Sequence, residues 1–223
     1  MNDRAHVVES VELETLQCNT PYKGDFSIKN FDRATIVASQ YEFYRCTKVE
    51  YMWTALYNTF QDASGQATIP YLVWSMNRNG EDYGGVFDKR MLERRGAIPQ
   101  KFVGVKNVSY VPNTLQGTIA THGLIPGEVM SQAFTYTPKK MEWFSSEVLK
   151  TSSGAPTGPN EFTVAPPMYY GLLFIIDELS GNFTAPIGRL TIKCHWEFKQ
   201  SRALDNTTND KVIPYVNTFQ ING

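Results

Sequence analysis

The chain has 223 residues, 42% of them hydrophobic, with 21 Lys and Arg against 22 Asp and Glu for a net charge of −1. That length can bury a sizeable core in one all-β domain, and the charge balance excludes a chain that is polycationic throughout. Tyr, Phe, Thr and Val are frequent and long Glu/Lys/Ala-rich tracts are missing, which favours strands over helices.

Residues 6–17 predict a first strand, with Val7, Val11 and Leu13 on one parity and Ser10, Glu12 and Glu14 on the other. Asn19-Thr20-Pro21 punctuates it, a short extended piece follows at 25–30, and residues 31–41 read as a short helix or a loop. A second long strand is predicted over 43–57, with Val49, Tyr51 and Trp53 in phase. After a polar loop at 61–66 comes a strand over 67–76. Residues 77–97 are charged and contain Gly80, Gly84 and Gly85, and predict a long connection with a helical turn near 89–95. Strand text returns at 102–111, 132–136 and 141–145. Residues 151–161 are rich in Gly, Pro and Ser and predict a loop.

The apolar run 168–177 predicts a strand, followed by a turn at Ser180-Gly181-Asn182. Residues 187–199 carry the clearest alternation in the chain. Leu190, Ile192, Cys194, Trp196 and Phe198 face one way, and Arg189, Thr191, Lys193, His195, Glu197 and Lys199 the other. Such a strand packs one face on a core and offers the other to solvent or a polar partner. A polar tail, 203–223, contains Tyr215 and Phe219. About eight antiparallel strands with long connections predict an all-β, double-sheet jelly-roll sandwich. It is expected to be one domain over 1–223, with 1–5 and about 203–223 as peripheral tails.

Catalytic patterns are missing. His6, His122 and His195 are scattered, with no His-x-His or His-Glu-x-x-His spacing for a metal. There is no Gly-x-Ser-x-Gly and no Walker sequence. No enzyme, cofactor or metal is expected. Cys18, Cys46 and Cys194 are an odd set without a Cys-x-x-Cys pair, which argues against a disulfide framework, and Cys194 reads as a small buried hydrophobe. The first residues are polar, without the apolar stretch of a signal peptide, and no apolar run approaches the ~20 residues of a membrane helix. A soluble protein made in a reducing compartment, without membrane insertion, is expected. The Asn-x-Ser/Thr triplets at Asn107, Asn182 and Asn206 then read as chance. Arg90, Arg94 and Arg95 form a small basic cluster, either a solvated face or a contact for phosphate or an acidic neighbour.

The segment Tyr41-Glu42-Phe43-Tyr44-Arg45-Cys46-Thr47-Lys48-Val49-Glu50 resembles an aromatic-Glu-aromatic-Tyr-Arg-x-x-Lys-Val signature of capsid proteins from circoviruses and related small circular single-stranded DNA viruses. Pro167-Met168-Tyr169-Tyr170-Gly171-Leu172 is similar to that family's penultimate strand, and residues 190–199 are similar to its final strand. The motifs are short and fall in the family's order; loops 77–97 and 151–166 show no match.

The resemblance implies a coat subunit that self-assembles into the smallest icosahedral shell, about 60 equivalent copies joined by heterologous contacts, enclosing single-stranded DNA. It implies a place in the virion, assembly in the host nucleus, and a host receptor. In related shells one sheet faces the lumen, which would turn Arg189, Lys193 and Lys199 toward DNA, with Glu12 and Glu14 offsetting part of the field. Tyr215 and Phe219 of the tail, with Arg90, Arg94 and Arg95, are candidates for contacts between copies. The family's usual Arg-rich N-terminal arm is not seen in Met-Asn-Asp-Arg-Ala-His: either it was removed or left out, or this relative lacks one, and weak DNA binding by this chain is expected. The alternative is a carbohydrate-binding jelly roll using Trp74, Asn77, Asn79 and Asp82.

Overall fold

The computed structural model describes residues 3–61, 67–77, 87–114, 139–149, 167–177 and 185–202. The two main antiparallel sheets hold nine strands among the described residues: β1 (Arg4–Leu16), β2 (Pro21–Lys23), β3 (Tyr41–Ala55), β4 (Tyr71–Met76), β5 (Gln100–Lys101), β6 (Val105–Tyr110), β7 (Leu172–Asp177), β8 (Gly188–Ser201) and the short segment Phe144–Ser145. The large sheet runs β1-β8-β3, and the far edge of β3 is shared by β6 and the short segment Phe144–Ser145. The small sheet runs β2-β7-β4-β5. The pairings β1–β8, β2–β7, β3–β6 and β4–β5 are the nesting of a double Greek-key jelly roll. Further two-residue segments, at Phe60–Gln61, Ala67–Thr68, Asn113–Thr114, Lys139–Lys140 and Tyr169–Tyr170, take the described strands still further beyond the eight expected.

The inner face of β8 behaves as its alternation requires: Leu190, Ile192, Cys194, Trp196 and Phe198 are all buried. They meet Tyr44, Cys46, Val49, Tyr51 and Trp53 of β3, and Leu172, Phe174 and Ile176 of β7 in one core. Trp196 sits in an aromatic nest, with ring centroids of Phe31, Tyr169 and Tyr44 at 5.5, 5.6 and 6.2 Å. Burial pushes the Cys194 thiol well above its ordinary pKa, which leaves it protonated and inert, as expected of a structural cysteine.

Two bulges reset the strand phase. In β3, Trp196 pairs with Cys46 but His195 pairs with Lys48, so Thr47 is the extra residue. Even positions Tyr44 and Cys46 therefore share the core with odd positions Val49, Tyr51 and Trp53. In β1 the register skips Leu13 between Glu12 and Glu14, which turns Leu16 inward to full burial. β1 begins at Arg4, so residues 4 and 5 lie in the sheet and not in a peripheral tail.

The segment 31–41 resolves as a helix, α1 (Asp32–Ala38), whose Arg33 and Ala34 amides donate to the Glu9 carboxylate of β1 at 3.2 and 2.9 Å. A carboxylate there satisfies orphan N–H groups and complements the helix dipole. The turn expected near 89–95 is α2 (Lys89–Arg94), capped by Asp88, which accepts from the Met91 amide at 2.8 Å. Its Leu92 packs with Phe87 on Val73, Leu173 and Ile175, on the outer side of the small sheet. The strand expected over 67–76 splits before Tyr71, after Pro70, which has no N–H to give a ladder. The strand expected at 132–136, the loop 151–161 and the tail 203–223 with Tyr215 and Phe219 lie outside the described residues.

The Tyr170-Gly171-Leu172 motif has a steric cause. A Cβ at Gly171 would lie 1.8 Å from the Gly24 carbonyl oxygen, which also accepts from the Tyr51 hydroxyl. Only glycine lets the start of β7 come this close to the end of β2.

Candidate functional site

With α2 on the small sheet, the outer face of the large sheet is the broad polar surface among the described residues. Register sets its side chains in rows across β1, β8 and β3, reaching β6 where that strand pairs. The first three rows are Arg4–Lys199–Phe43, His6–Glu197–Arg45 and Val8–His195–Lys48. The next three are Ser10–Lys193–Glu50–Ser109, Glu12–Thr191–Met52–Asn107 and Thr15–Arg189–Thr54–Val105.

The expected trio of Arg189, Lys193 and Lys199 shares this face but not one environment. Arg189 reaches Glu12 at 3.6 Å, and Lys193 reaches Glu50 at 3.7 Å. Lys199 instead lies over two rings, 5.1 Å from the centroid of Phe43 and 4.5 Å from that of Trp143. Glu12 is therefore on the surface, as its parity requires, and offsets Arg189. The register skip at Leu13 puts Glu14 opposite Leu190 instead.

Glu50 is the electrostatic centre of the middle rows. Lys48 Nζ lies 2.8 Å from its Oε1 and His195 Nε2 2.9 Å from the same atom. Hydrogen bonds from Lys48 and His195, helped by the nearby Lys193 charge, hold its carboxyl down at about 2. His195 is thus a hydrogen-bonded surface histidine. A concavity of about 450 Å³ opens beside it, lined by Ser10, Glu50, Asn107, Thr191 and Lys193. In the second row, Arg45 donates to Glu197 Oε2 through Nε at 2.8 Å and Nη2 at 2.6 Å, and through Nη1 to the Met141 carbonyl at 3.3 Å. Its guanidinium carbon sits 4.3 Å from the Trp143 ring centroid.

Arg90, Arg94 and Arg95 belong to α2 and its C-cap, outside the small sheet, so the structure does not bring them to the Arg189–Lys193–Lys199 face. Arg90 and Arg94 are exposed. Of the residues of the carbohydrate alternative, Trp74 is half-buried, stacked on Trp53 at 6.3 Å and at the wall of a concavity of about 520 Å³, and Asn77 is buried. Asn79 and Asp82 lie outside the described residues. No group of three or more His, Cys, Asp or Glu among the described residues is placed to hold a metal ion. No helix among them is long and apolar enough to cross a membrane.

Reading by residue type missed Arg4, Phe43, Arg45, Lys48, Glu50 and Trp143 as parts of this face. For Arg45 and Phe43 the signal was strand parity before the Thr47 bulge. Trp143 had none, because its place depends on a short segment pairing with β3 from a distance of about 100 residues in sequence.

No family model and no curated protein matches the sequence. Solved structures similar to the chain include the 60-mer BFDV capsid protein, at a TM-score of 0.49 and 11% identity over 93% of this chain and 96% of that one. The semi-empty virus-like particle of Macrobrachium rosenbergii nodavirus gives 0.48 and 14% over 91% and 86%. Cocksfoot mottle virus gives 0.48 and 12% over 90% and 97%. At TM-scores below 0.5 such likenesses carry no argument about function, which has to come from the chain's own residues.

Proposed function

We propose that this chain is a viral coat subunit, a single jelly-roll domain that self-assembles into a small icosahedral shell around single-stranded circular DNA. The observation that supports it most is where the three family-like motifs fall. Residues 41–50 are the first part of β3, Gly171-Leu172 opens β7, and 190–199 is the body of β8, which pairs with β3 along its length. The motifs thus build the centre of the sandwich and the glycine contact that sets how closely β7 approaches β2.

Shell closure requires heterologous contacts that return on themselves around rotation axes. Arg90 and Arg94 on α2, Arg95 at its C-cap, and Tyr215 and Phe219 of the tail, are the proposed contact residues between copies. The outer face of the large sheet is the proposed lumenal surface, with Arg189, Lys193 and Lys199 toward the genome. The shell reading carries with it about 60 copies, a place in the virion, assembly in the host nucleus and recognition of a host receptor. The test is electron microscopy and light scattering of the purified chain across salt and pH. Closed hollow particles of uniform size are expected. Monomers or dimers under all conditions, above all if they bind glycans, overturn the reading in favour of a carbohydrate-binding module.

A further inference from the structure

Charge is distributed unevenly along the outer face of the large sheet. The first three rows hold Arg4, Arg45, Lys48 and Lys199 against Glu197; Arg45 is paired with Glu197 and Lys48 with Glu50 of the next row, which leaves Arg4 and Lys199 without an acid partner among the described residues. The last three hold Lys193 and Arg189 against Glu50 and Glu12, two against two, with both cations within 4 Å of an acid. Half-buried aromatic surface gathers at the same end. Phe43 lies in the first row, and Trp143 is half-buried beside it with two cations over its ring.

We infer that the Arg4–Lys199–Phe43 end of this face, with Arg45 and Trp143, is a stacking clamp for single-stranded DNA, and that Arg189 and Lys193 are not its main contacts. A single strand presents phosphates and, unlike a duplex, free base faces. Arg4 and Lys199 face each other across β1 and β8 with no carboxylate partner for either among the described residues, so both are available to phosphate. Asp3, beside Arg4 just beyond the first row, accepts from the Ser201 amide at 2.8 Å. Arg45 is held over Trp143 by Glu197 and the Met141 carbonyl, which fixes the ring's surroundings before any ligand arrives. A base on an indole gains more than an exposed lysine ammonium does, so an arriving base displaces Lys199 Nζ from the ring toward the adjoining phosphate. Glu197 is neutralised by Arg45 and does not repel the strand. The inference rests on the coat-protein reading for which surface meets the genome; the chemistry of the clamp is independent of assembly.

The experiment is anisotropy of a labelled oligothymidine with the full chain over a salt series, beside an abasic strand of equal length and a duplex. The double variant Arg4→Gln/Lys199→Gln is expected to weaken binding about tenfold at low salt and to flatten the log–log salt slope by about 1.4, two phosphate contacts on a single strand. The charge-neutral quadruple variant Glu12→Gln/Glu50→Gln/Arg189→Gln/Lys193→Gln is expected to change it less than about twofold, since the two ion pairs are removed together, no carboxylate is left bare and neither cation contacts phosphate in the clamp; this is the second, control variant. The abasic strand is expected to bind wild type about fivefold more weakly, and Trp143→Leu to erase that preference. The inference is overturned if the control variant loses as much as the double variant, or if abasic strand or duplex binds as well as oligothymidine. Because the two lysine-end substitutions are on exposed or half-exposed positions, they read out even where Trp143→Leu fails to fold. Light scattering in parallel separates the two ideas: no particles from wild type counts against the coat reading, whereas particles without a base preference count against the clamp alone.

Discussion

Strands β7 and β8 lie in different sheets of one sandwich and differ in what covers them. In β7 every residue from Leu172 to Ile176 is buried. One set faces the shared core, and the other, Leu173 and Ile175, lies under α2. In β8 burial alternates almost without fault from Gly188 to Phe198. A continuous apolar run thus marks a strand covered on both sides, and strict alternation marks one with a naked face. The small sheet covers its outer surface with a satellite core, whereas the outer surface of the large sheet is left polar and partly exposed.

The largest effect is expected where the two sheets meet. Trp196 projects from β8 into a nest of Phe31, Tyr169 and Tyr44 rings and is 1% exposed. Trp196→Ala removes that filling and leaves a cavity, at a cost of ~3–5 kcal/mol. Urea denaturation should show it as a fall in midpoint with little change in slope. An unchanged midpoint would mean that β8 presents its other face to the core, and the comparison with β7 would collapse.

A smaller effect tests the cover on β7. Leu92 is fully buried yet belongs to a short helix on a satellite cluster of few residues. Leu92→Ala is expected to cost about 2–3 kcal/mol, the low end for a buried leucine, because so small a cluster can close partly over the gap. Hydrogen exchange should show α2 loosening while the β3 and β8 amides stay protected. Equal loss of protection in both sheets would mean that α2 is part of the main core.

The two-sheet fold and the polar face of β8 were legible because period-two alternation survives without knowledge of neighbours. What was not legible came from pairing. The Thr47 bulge changes the phase of β3 mid-strand, so Tyr44 and Val49 share a face that simple parity denies them. The Gln200 backbone, at φ 58°, similarly ends the alternation of β8. Arg189, Lys193 and Lys199 looked equivalent on one strand, and only their cross-strand partners, two acids and a pair of rings, tell them apart. Trp143 entered the site through a short segment whose pairing carries no periodic signal.

The smallest effect belongs to the naked face, and its sign follows from Glu50. Its carboxyl ionises at about 2 in the folded chain against 4.5 for the ordinary group, chiefly because Lys48 and His195 hydrogen-bond the charged form. A depressed folded pKa binds fewer protons than the unfolded chain between those values. The stabilisation is therefore fully present above about 4.5 and is lost as pH falls toward about 2. The side chain is 30% exposed and water screens the cluster, so the contribution is below ~1 kcal/mol. Glu50→Gln should be slightly less stable than wild type at neutral pH, and the two denaturation midpoints should converge as the acid limb is approached. A gap that stays constant through that window would place the loss in shape or packing. A gap that widens toward acid would mean that Glu50 prefers to be protonated in the fold, and that this face is less open to water than its alternation implies.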